Sequence, residues 1–358
     1  MQQVTRNASH LTIGLDLGDS TSEVCVLDRE QEVLEQGKLL TDPESFRGFL
    51  GRYPGATVVF EVGSQSRWVQ PLARKAGAKA IAADPRQLRL ITESRKKTDQ
   101  RDAYVLARAG QGMPELLCPV EHRSEQVHAD LSLMRTQELL VQQRTRLVQR
   151  IRGMVKASGH KLGSCTATYF FRQARPQIPD HLKVACAPLF VVLETIHEQL
   201  KEITRQARKM VKERYPEVER LMTVCSIGQK TALTLRLTIE DPRRIRGTRN
   251  IGAYLGLTPR KKESGNSAPQ LGITKAGDRH LRRLLVLCAH HLLGHFGKDC
   301  RLRRWGLKLC ERGGVNAKKR AIVAVARKLA IHLLAIWKSG EDYDPWRGVP
   351  KALRPEAA

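Results

Sequence analysis

Four carboxylates and one serine in this sequence have the types and spacings that phosphoryl chemistry needs. Asp16 interrupts an apolar run, Leu11-Thr-Ile-Gly-Leu-Asp-Leu-Gly, and Glu61 ends a second, Ala56-Thr-Val-Val-Phe-Glu. Asp99 and Asp102 stand three apart in Lys97-Thr-Asp-Gln-Arg-Asp-Ala, at the start of an expected helix, so both face one side. Carboxylates from separate elements suit one or two Mg²⁺ ions, with Mn²⁺ as a substitute; such ions keep waters and substrate phosphate in their remaining positions. Singly, each acid has an ordinary reading: Asp102 as a helix-surface charge, Glu61 as a turn residue. Asp16, set between Leu15 and Leu17, is the hardest to explain that way, because a buried unpaired carboxylate is costly. Ser264 lies in Glu263-Ser-Gly-Asn-Ser, flanked by Arg260, Lys261, Lys262 and, further on, Lys275. A serine hydroxyl is a poor nucleophile unless a base or metal assists it and cations neutralise the charge developing on phosphate. A plain polar turn is the commoner meaning of Ser-Gly, and Ser267 is a rival three residues on.

The charge of the chain says what such groups would act on. In 358 residues, 62 Lys and Arg face 36 Asp and Glu, a formal net charge of +26, so a polyanion is the expected partner. Between Arg243 and Arg283 basic residues predominate, among them Arg260, Lys261, Lys262, Lys275, Arg279, Arg282 and Arg283, interleaved with Gly, Ser and Thr that permit close approach to a phosphate backbone. Acids on a phosphate-binding face repel the ligand unless they hold cations that contact it. The eight cysteines include no C-x-x-C, which fits reduced thiols in a cytoplasmic protein. No apolar leader opens the sequence and no run is long enough to span a bilayer, so no membrane role is expected.

The elements that would carry these residues change character along the chain. Residues 11 to about 120 alternate strand and helix signals: strands at Leu11–Leu17, Glu23–Asp28, Glu32–Leu40, Ala56–Val62 and Lys79–Ala83, with helices at Asp42–Tyr53, Gln70–Ala76 and Asp99–Ala109. This predicts a mixed-sheet α/β domain, with residues 1–10 as a tail. Over 121–220 strand signals nearly vanish. Leu133, Leu140, Leu147 and Met154 recur every seven residues, and Leu189, Leu193, Ile196, Leu200, Ile203, Ala207 and Met210 follow a 4-3 spacing. Two antiparallel helices are expected, as a projecting coiled coil or as part of a bundle, joined by a long turn over Gly159–Asp180. A third, mainly helical unit spans 221–340. Its Ser226-Ile-Gly-Gln-Lys-Thr segment resembles a helix-hairpin-helix turn, and His290, His291 and His295 are placed on one apolar helix in a core or groove role. Residues 341–358 are expected to fray.

Gly14-Leu-Asp-Leu-Gly, Phe60-Glu-Val-Gly-Ser, Arg95-Lys-Lys-Thr-Asp-Gln-Arg-Asp-Ala, and the series Gly256-Leu-Thr-Pro-Arg, Glu263-Ser-Gly, Ile273-Thr-Lys-Ala-Gly and Leu281-Arg occur in an order that resembles one family. It is the bridge-RNA-guided DEDD transposases of bacterial insertion sequences, serine recombinases with a RuvC-like N-terminal domain. The resemblance runs from Leu11 to about Gly340. It implies an RNase H-like domain, a coiled-coil insertion pairing protomers, and a C-terminal serine transposase domain. It assigns metal binding to Asp16, Glu61, Asp99 and Asp102, and the nucleophile to Ser264. It further implies composite sites shared between protomers, a homodimer assembling to a tetramer, DNA as substrate, and a structured noncoding guide RNA, in a nucleoid-associated bacterial protein. Where many relatives carry Gly and Tyr after the motif glutamate, this chain has Gly63-Ser-Gln-Ser-Arg-Trp68, which leaves Trp68 without a role. An RNA-independent Holliday-junction endonuclease of the same fold, using the acids and water alone, is the competing reading; a basic architectural protein with idle acids is a third.

Overall fold

The computed structural model describes residues 8–85, 98–262, 264, 265, 267, 269, 271–350 and 354. Residues 1–7 of the expected N-terminal tail, Arg95–Lys97 of the third motif and Glu263 lie outside the described residues. Ala8–His10 form a 3-10 turn. The chain divides into two compact units, 1–123 and 124–358.

The first unit is a five-stranded mixed sheet. β1 (Thr12–Asp16), β2 (Thr21–Leu27), β3 (Val33–Leu40), β4 (Thr57–Glu61) and β5 (Lys79–Ala83) lie in the order β3-β2-β1-β4-β5. The β1–β2 and β2–β3 pairs are antiparallel; β1–β4 and β4–β5 are parallel. Side chains alternate between faces along a strand. Ile13, Leu15, Val24, Val26, Val58 and Phe60 therefore share one face, which is covered by α1 (Pro43–Gly51) and α2 (Ser66–Lys75) through Phe46, Phe49, Leu50, Val69 and Ala73. Asp42 caps α1, its Oδ1 accepting from the Glu44 and Ser45 amides at 2.9 Å each. Trp68 packs edge-on against Phe46, with centroids 5.2 Å apart, and its indole N–H donates to Gln65, so its role is in the core. The opposite face carries α3 (Asp99–Gly112), whose Ala103 and Ala107 meet Cys25 and Leu27, while Leu106 and Ala109 meet Val59, Ile81 and Ala83. Thr98 caps this helix from its side chain to the Arg101 amide.

In the second unit α4 (Glu125–Ala157) and α5 (Asp180–Arg214) run antiparallel. Val127, Leu131 and Met134 pack with Ala207, Met210 and Val211 at one end, and Val148, Ile151 and Val155 with Cys186, Phe190 and Leu193 at the other. On α5 the expected seam is the buried one from Leu193 to Met210, with Leu189 partly buried. On α4 it is not: Leu133, Leu147 and Met154 are only partly buried, and the stripe lies one residue later, at Met134, Val148 and Val155. The polar residues in that stripe hid it. The 159–180 segment is not a simple turn either. Leu162, Phe170, Phe171, Ala174 and Ile178 are buried around the far end of the helix pair, and Phe170–Gln173 forms a helical turn.

The body of this unit is α6 (Glu217–Leu221), α7 (Gln229–Ile239), α8 (Arg279–Leu293), α9 (Arg301–Cys310) and α10 (Ala317–Ser339). α10 is its axis: Val325, Leu329, Leu333 and Leu334 are fully buried among α6, α8 and α9. The C-terminal segment does not fray over 341–350. Tyr343 packs edge-on against His332, Pro345 O accepts from the Arg301 amide at 3.1 Å, and Arg347 O accepts from the Arg301 guanidinium at 2.6 Å. The histidine placement also fails. His290 and His291 are exposed on α8, and His295 lies beyond its end at Leu293.

One buried charge cluster ties α4 to α7 and α8. Glu138, 6 % exposed, accepts from Gln142, pairs with Arg283 and with Lys230 at 3.4 Å, and lies 3.4 Å from His280. Burial pushes the Glu138 carboxyl up, but Gln142, Lys230, Arg283 and His280 together outweigh it and hold it below the usual range. Burial, ahead of the neighbouring charges, holds His280 below its ordinary value. Removing one partner of a buried charge cluster costs about 3–5 kcal/mol. Glu138→Ala is therefore expected to lower the melting temperature by roughly 10 °C at pH 7.5. A depressed carboxylate contributes stability above its unfolded pKa and loses it as pH falls through the folded value. The gap between wild type and Glu138→Ala should accordingly narrow below about pH 4.5. His280, favoured neutral, makes the wild type lose stability as pH falls below about 6.5. Urea denaturation at pH 7.5, 5.5 and 4 measures both.

Candidate functional site

Each unit carries one candidate centre. In the first unit the parallel register pairs Thr12 with Thr57 through Leu15 with Phe60, so Asp16 and Glu61 follow side by side at the carboxyl ends of adjacent strands. Both alternate onto the face that packs α3. Gly14 sets how close that helix comes: a Cβ built there would lie 1.9 Å from Ala103 O and 2.6 Å from Ala107 N. Further down the strand Thr12 lies near Gly110, so α3 runs against the direction of β1. Its first turn, with Asp99 and Asp102, thus lies toward the end of the sheet that carries Asp16. Gln36 of β3 ties that turn down, its amide donating to Gln100 O at 3.0 Å.

The four acids are thereby brought to one end of the sheet. Asp16 and Asp102 are partly buried, and Glu61 and Asp99 exposed. Their hard oxygen donors fit a divalent cation in type. Yet among the described residues no three His, Cys, Asp or Glu side chains gather as a metal-holding group. A fifth acid, Glu23, stands directly opposite Asp16 across the β1–β2 hairpin and was missed from sequence. The sequence shows only an acid at the head of the apolar run Val24-Cys-Val-Leu; that it faces Asp16 is set by the hairpin register.

In the second unit Ser264 sits at the exposed tip of a two-stranded ladder. The Arg260 amide donates to Gly272 O at 2.9 Å, Thr274 to Thr258 O at 2.9 Å, and Lys275 to Gly256 O at 3.1 Å. At the tip Ser264 and Ser267 exchange backbone hydrogen bonds of 3.1 and 3.0 Å around Gly265, whose φ of +53° is glycine's territory. At the base Gly256 has φ +65°, and a Cβ there would lie 2.2 Å from Ala276 N. Arg260, Lys261, Lys262, Lys275 and Arg279 are exposed along and beneath the ladder. Arg282 has a structural place, donating to Leu255 O at 3.0 Å and Ala276 O at 2.7 Å, and Arg283 is paired with Glu138. Five of the seven expected nucleic-acid cations are thus exposed at the ladder.

Beside the ladder base a cavity of about 820 Å³ is floored by Leu257, Ile273 and Val323 and rimmed by Arg249, Lys319, Arg320, Arg327 and Lys328. Its wall includes Trp305, with the Lys328 ammonium 5.6 Å from the indole. No acid lines it. Cations round an aromatic wall suit a nucleotide strand, whose bases stack while its phosphates meet charge. Lys319, Arg320, Val323, Arg327 and Lys328 share α10, and packing brings Trp305 of α9, Arg249, Leu257 and Ile273 against them.

Two family models match the chain. One, described as Transposase and belonging to the DEDD type of IS110, covers residues 13–158; the other, described as Transposase IS116/IS110/IS902 family, covers 218–303. The chain is similar to a transposase for insertion sequence element IS1111A from Coxiella burnetii, at 25 % identity over 92 % of this chain and 90 % of the relative. It is similar to a probable family 20 transposase from Pseudomonas aeruginosa, at 27 % identity over 93 % and 98 %. A third relative, a transposase for insertion sequence element IS1328 from Yersinia enterocolitica, is 25 % identical over 77 % and 82 %.

Proposed function

We propose that this chain, a DNA transposase similar to those of the IS116/IS110/IS902 family, exchanges DNA strands through a covalent phosphoserine at Ser264 under the guidance of a structured noncoding RNA. The observation that carries this reading is the place of Ser264, exposed at the tip of a ladder bearing Arg260, Lys261 and Lys262. A nucleophile that must enter the groove of a bulky polyanion needs such a projection, and the cations offset charge growing on the phosphate.

In the cleavage step the Ser264 oxygen attacks phosphorus, the bond from phosphorus to one deoxyribose oxygen breaks, and that oxygen takes up a proton while the serine gives one up. Attack by a hydroxyl of a new strand reverses the step and frees the serine. One phosphodiester is exchanged for another, so no ATP is consumed. Asp16, Glu61, Asp99 and Asp102 would hold the divalent cation, Mg²⁺ or Mn²⁺, which when bound supplies charge neutralisation at the phosphate. In this reading the acids of one protomer work with the serine of another in a homodimer that assembles to a tetramer, in the bacterial cytoplasm. Support for pairing comes from the outer face of α5, where Val184 and Val191, seven residues apart, are 87 % and 57 % exposed. Among the described residues no helix is long and apolar enough to cross a membrane.

The acids at one end of the sheet also suit a junction endonuclease that uses water and needs neither Ser264 nor RNA. Purification distinguishes the two. The recombinase is expected to carry a discrete RNA, seen as 260 nm absorbance that RNase removes, and to lose strand exchange with it. RNase-treated protein that cuts branched DNA fully and leaves free ends would establish the endonuclease instead.

A further inference from the structure

We propose that Glu23 is a fifth carboxylate of the acidic centre, sharing with Asp16 the divalent cation that binds there; this rests on the assignment of a cation to the acids made above. The β1–β2 register sets Asp16 directly opposite Glu23, so both project from one face of the sheet. The next pair on that face is Gly14 with Cys25, and both pack against Ala103 and Ala107 of α3. The Asp16–Glu23 pair therefore lies one step further along, toward the turn of α3 that bears Asp99 and Asp102.

Glu23 is in an environment that a carboxylate does not tolerate without a partner. It is 6 % exposed, and its Oε2 is buried with no hydrogen-bond donor. Its other oxygen has one cation, Lys38 Nζ at 3.5 Å, on a side chain 69 % exposed. That separation is longer than a charge-assisted hydrogen bond, and a lysine so exposed remains largely solvated. Like charges directly opposite on paired strands repel, and burial strengthens the repulsion. A divalent cation between Asp16 and Glu23 would supply the missing partner of Oε2 and reverse the sign of the contact between the two acids. Mg²⁺ is commonly held by one or two carboxylates with water and phosphate completing its shell, so no third acid has to be in place before DNA arrives.

Mn²⁺ binding to the full chain without DNA tests this, read by electron paramagnetic resonance of free Mn²⁺ and by melting temperature in EDTA and in Mn²⁺. The wild type is expected to bind Mn²⁺ and to melt higher in it. Glu23→Gln should weaken the binding about tenfold to a hundredfold and melt no lower than wild type in EDTA, since it removes a repelled charge at constant shape. Glu23→Asp, which keeps the charge, should retain part of the affinity, and Lys38→Met all of it. Unchanged Mn²⁺ affinity in Glu23→Gln, with a lower melting temperature in EDTA that Lys38→Met reproduces, would overturn the proposal and leave a cross-strand ion pair. Failure of the wild type to bind Mn²⁺ at all would instead remove the cation from all the acids.

Discussion

Replacing Ser264 with alanine is expected to abolish the covalent protein–DNA species formed on a nicked or suicide substrate in Mg²⁺, a loss on the order of 10⁴-fold or more in strand-exchange rate. The size follows from the chemistry. Without the nucleophile there is no covalent route at all, whereas a lost positioning contact only raises its barrier. Little else should change. The ladder tip is closed by backbone hydrogen bonds between Ser264 and Ser267, which alanine keeps, and the side chain is exposed, so stability should be within about 0.5 kcal/mol of wild type. DNA affinity should fall by at most the worth of one hydrogen bond, about 1 kcal/mol. Ser267→Ala is the matched control, because the two serines face each other across Gly265 in one bridge. If Ser267→Ala loses the adduct and Ser264→Ala keeps it, the nucleophile is misassigned. Asp16→Asn should also lose the adduct, but together with Mn²⁺ binding to the protein, which Ser264→Ala leaves intact. Hydrolysis with free ends, unaffected by Ser264→Ala, would refute the phosphoserine altogether.

The acids and the serine differed in how far they could be read from sequence. Asp16 and Glu61 were legible because each ends or interrupts an apolar strand run, and the parallel β1–β4 register then sets them side by side. Asp99 and Asp102 were legible from the helix start after Thr98, the residue that caps α3. Glu23 was not, because its meaning comes only from pairing: which residue faces Asp16 depends on the register of the hairpin. The same reason hid the packing stripe of α4. Leu133, Leu147 and Met154 satisfy a seven-residue repeat, but which side of a helix is buried depends on its partner, and Glu138 sits in the buried stripe where an apolar residue was sought. Arg282 and Arg283 look in sequence like the exposed cations beside them. Only their hydrogen-bond partners, two backbone carbonyls and Glu138, separate them from the phosphate-facing set. The basic cavity walled by Trp305 was beyond sequence for a further reason: four of its five cations share α10, but the apposition of Trp305 and Arg249 to that face is set only by packing.

Gly14→Ala should impair catalysis more than it impairs folding, and the reason is the distance at which α3 is seated. The added methyl would fall 1.9 Å from Ala103 O and 2.6 Å from Ala107 N, both backbone atoms of a helix that cannot rotate out of the way as a side chain would. Ordinary contact requires the helix to move off the sheet by at least about 1 Å. Ala103 and Ala107 are fully buried, so that shift opens the packing against Cys25 and Leu27 as well. Overpacking of this kind costs about 3 kcal/mol, and the first unit should melt roughly 10 °C lower while keeping its circular dichroism. The same displacement carries Asp99 and Asp102 away from Asp16. Misplacement by about 1 Å at a reacting centre costs on the order of 10²-fold in rate, so adduct formation should fall by that factor at temperatures where the variant is fully folded. Gly37→Ala is the control within the same sheet: a Cβ there meets nothing within 4 Å, and both stability and activity should be near wild type. A Gly14→Ala protein with wild-type melting and wild-type adduct yield would mean that the close seating of α3 on β1 does not position the acids. The shared end of the sheet would then be a consequence of the fold with no part in the chemistry.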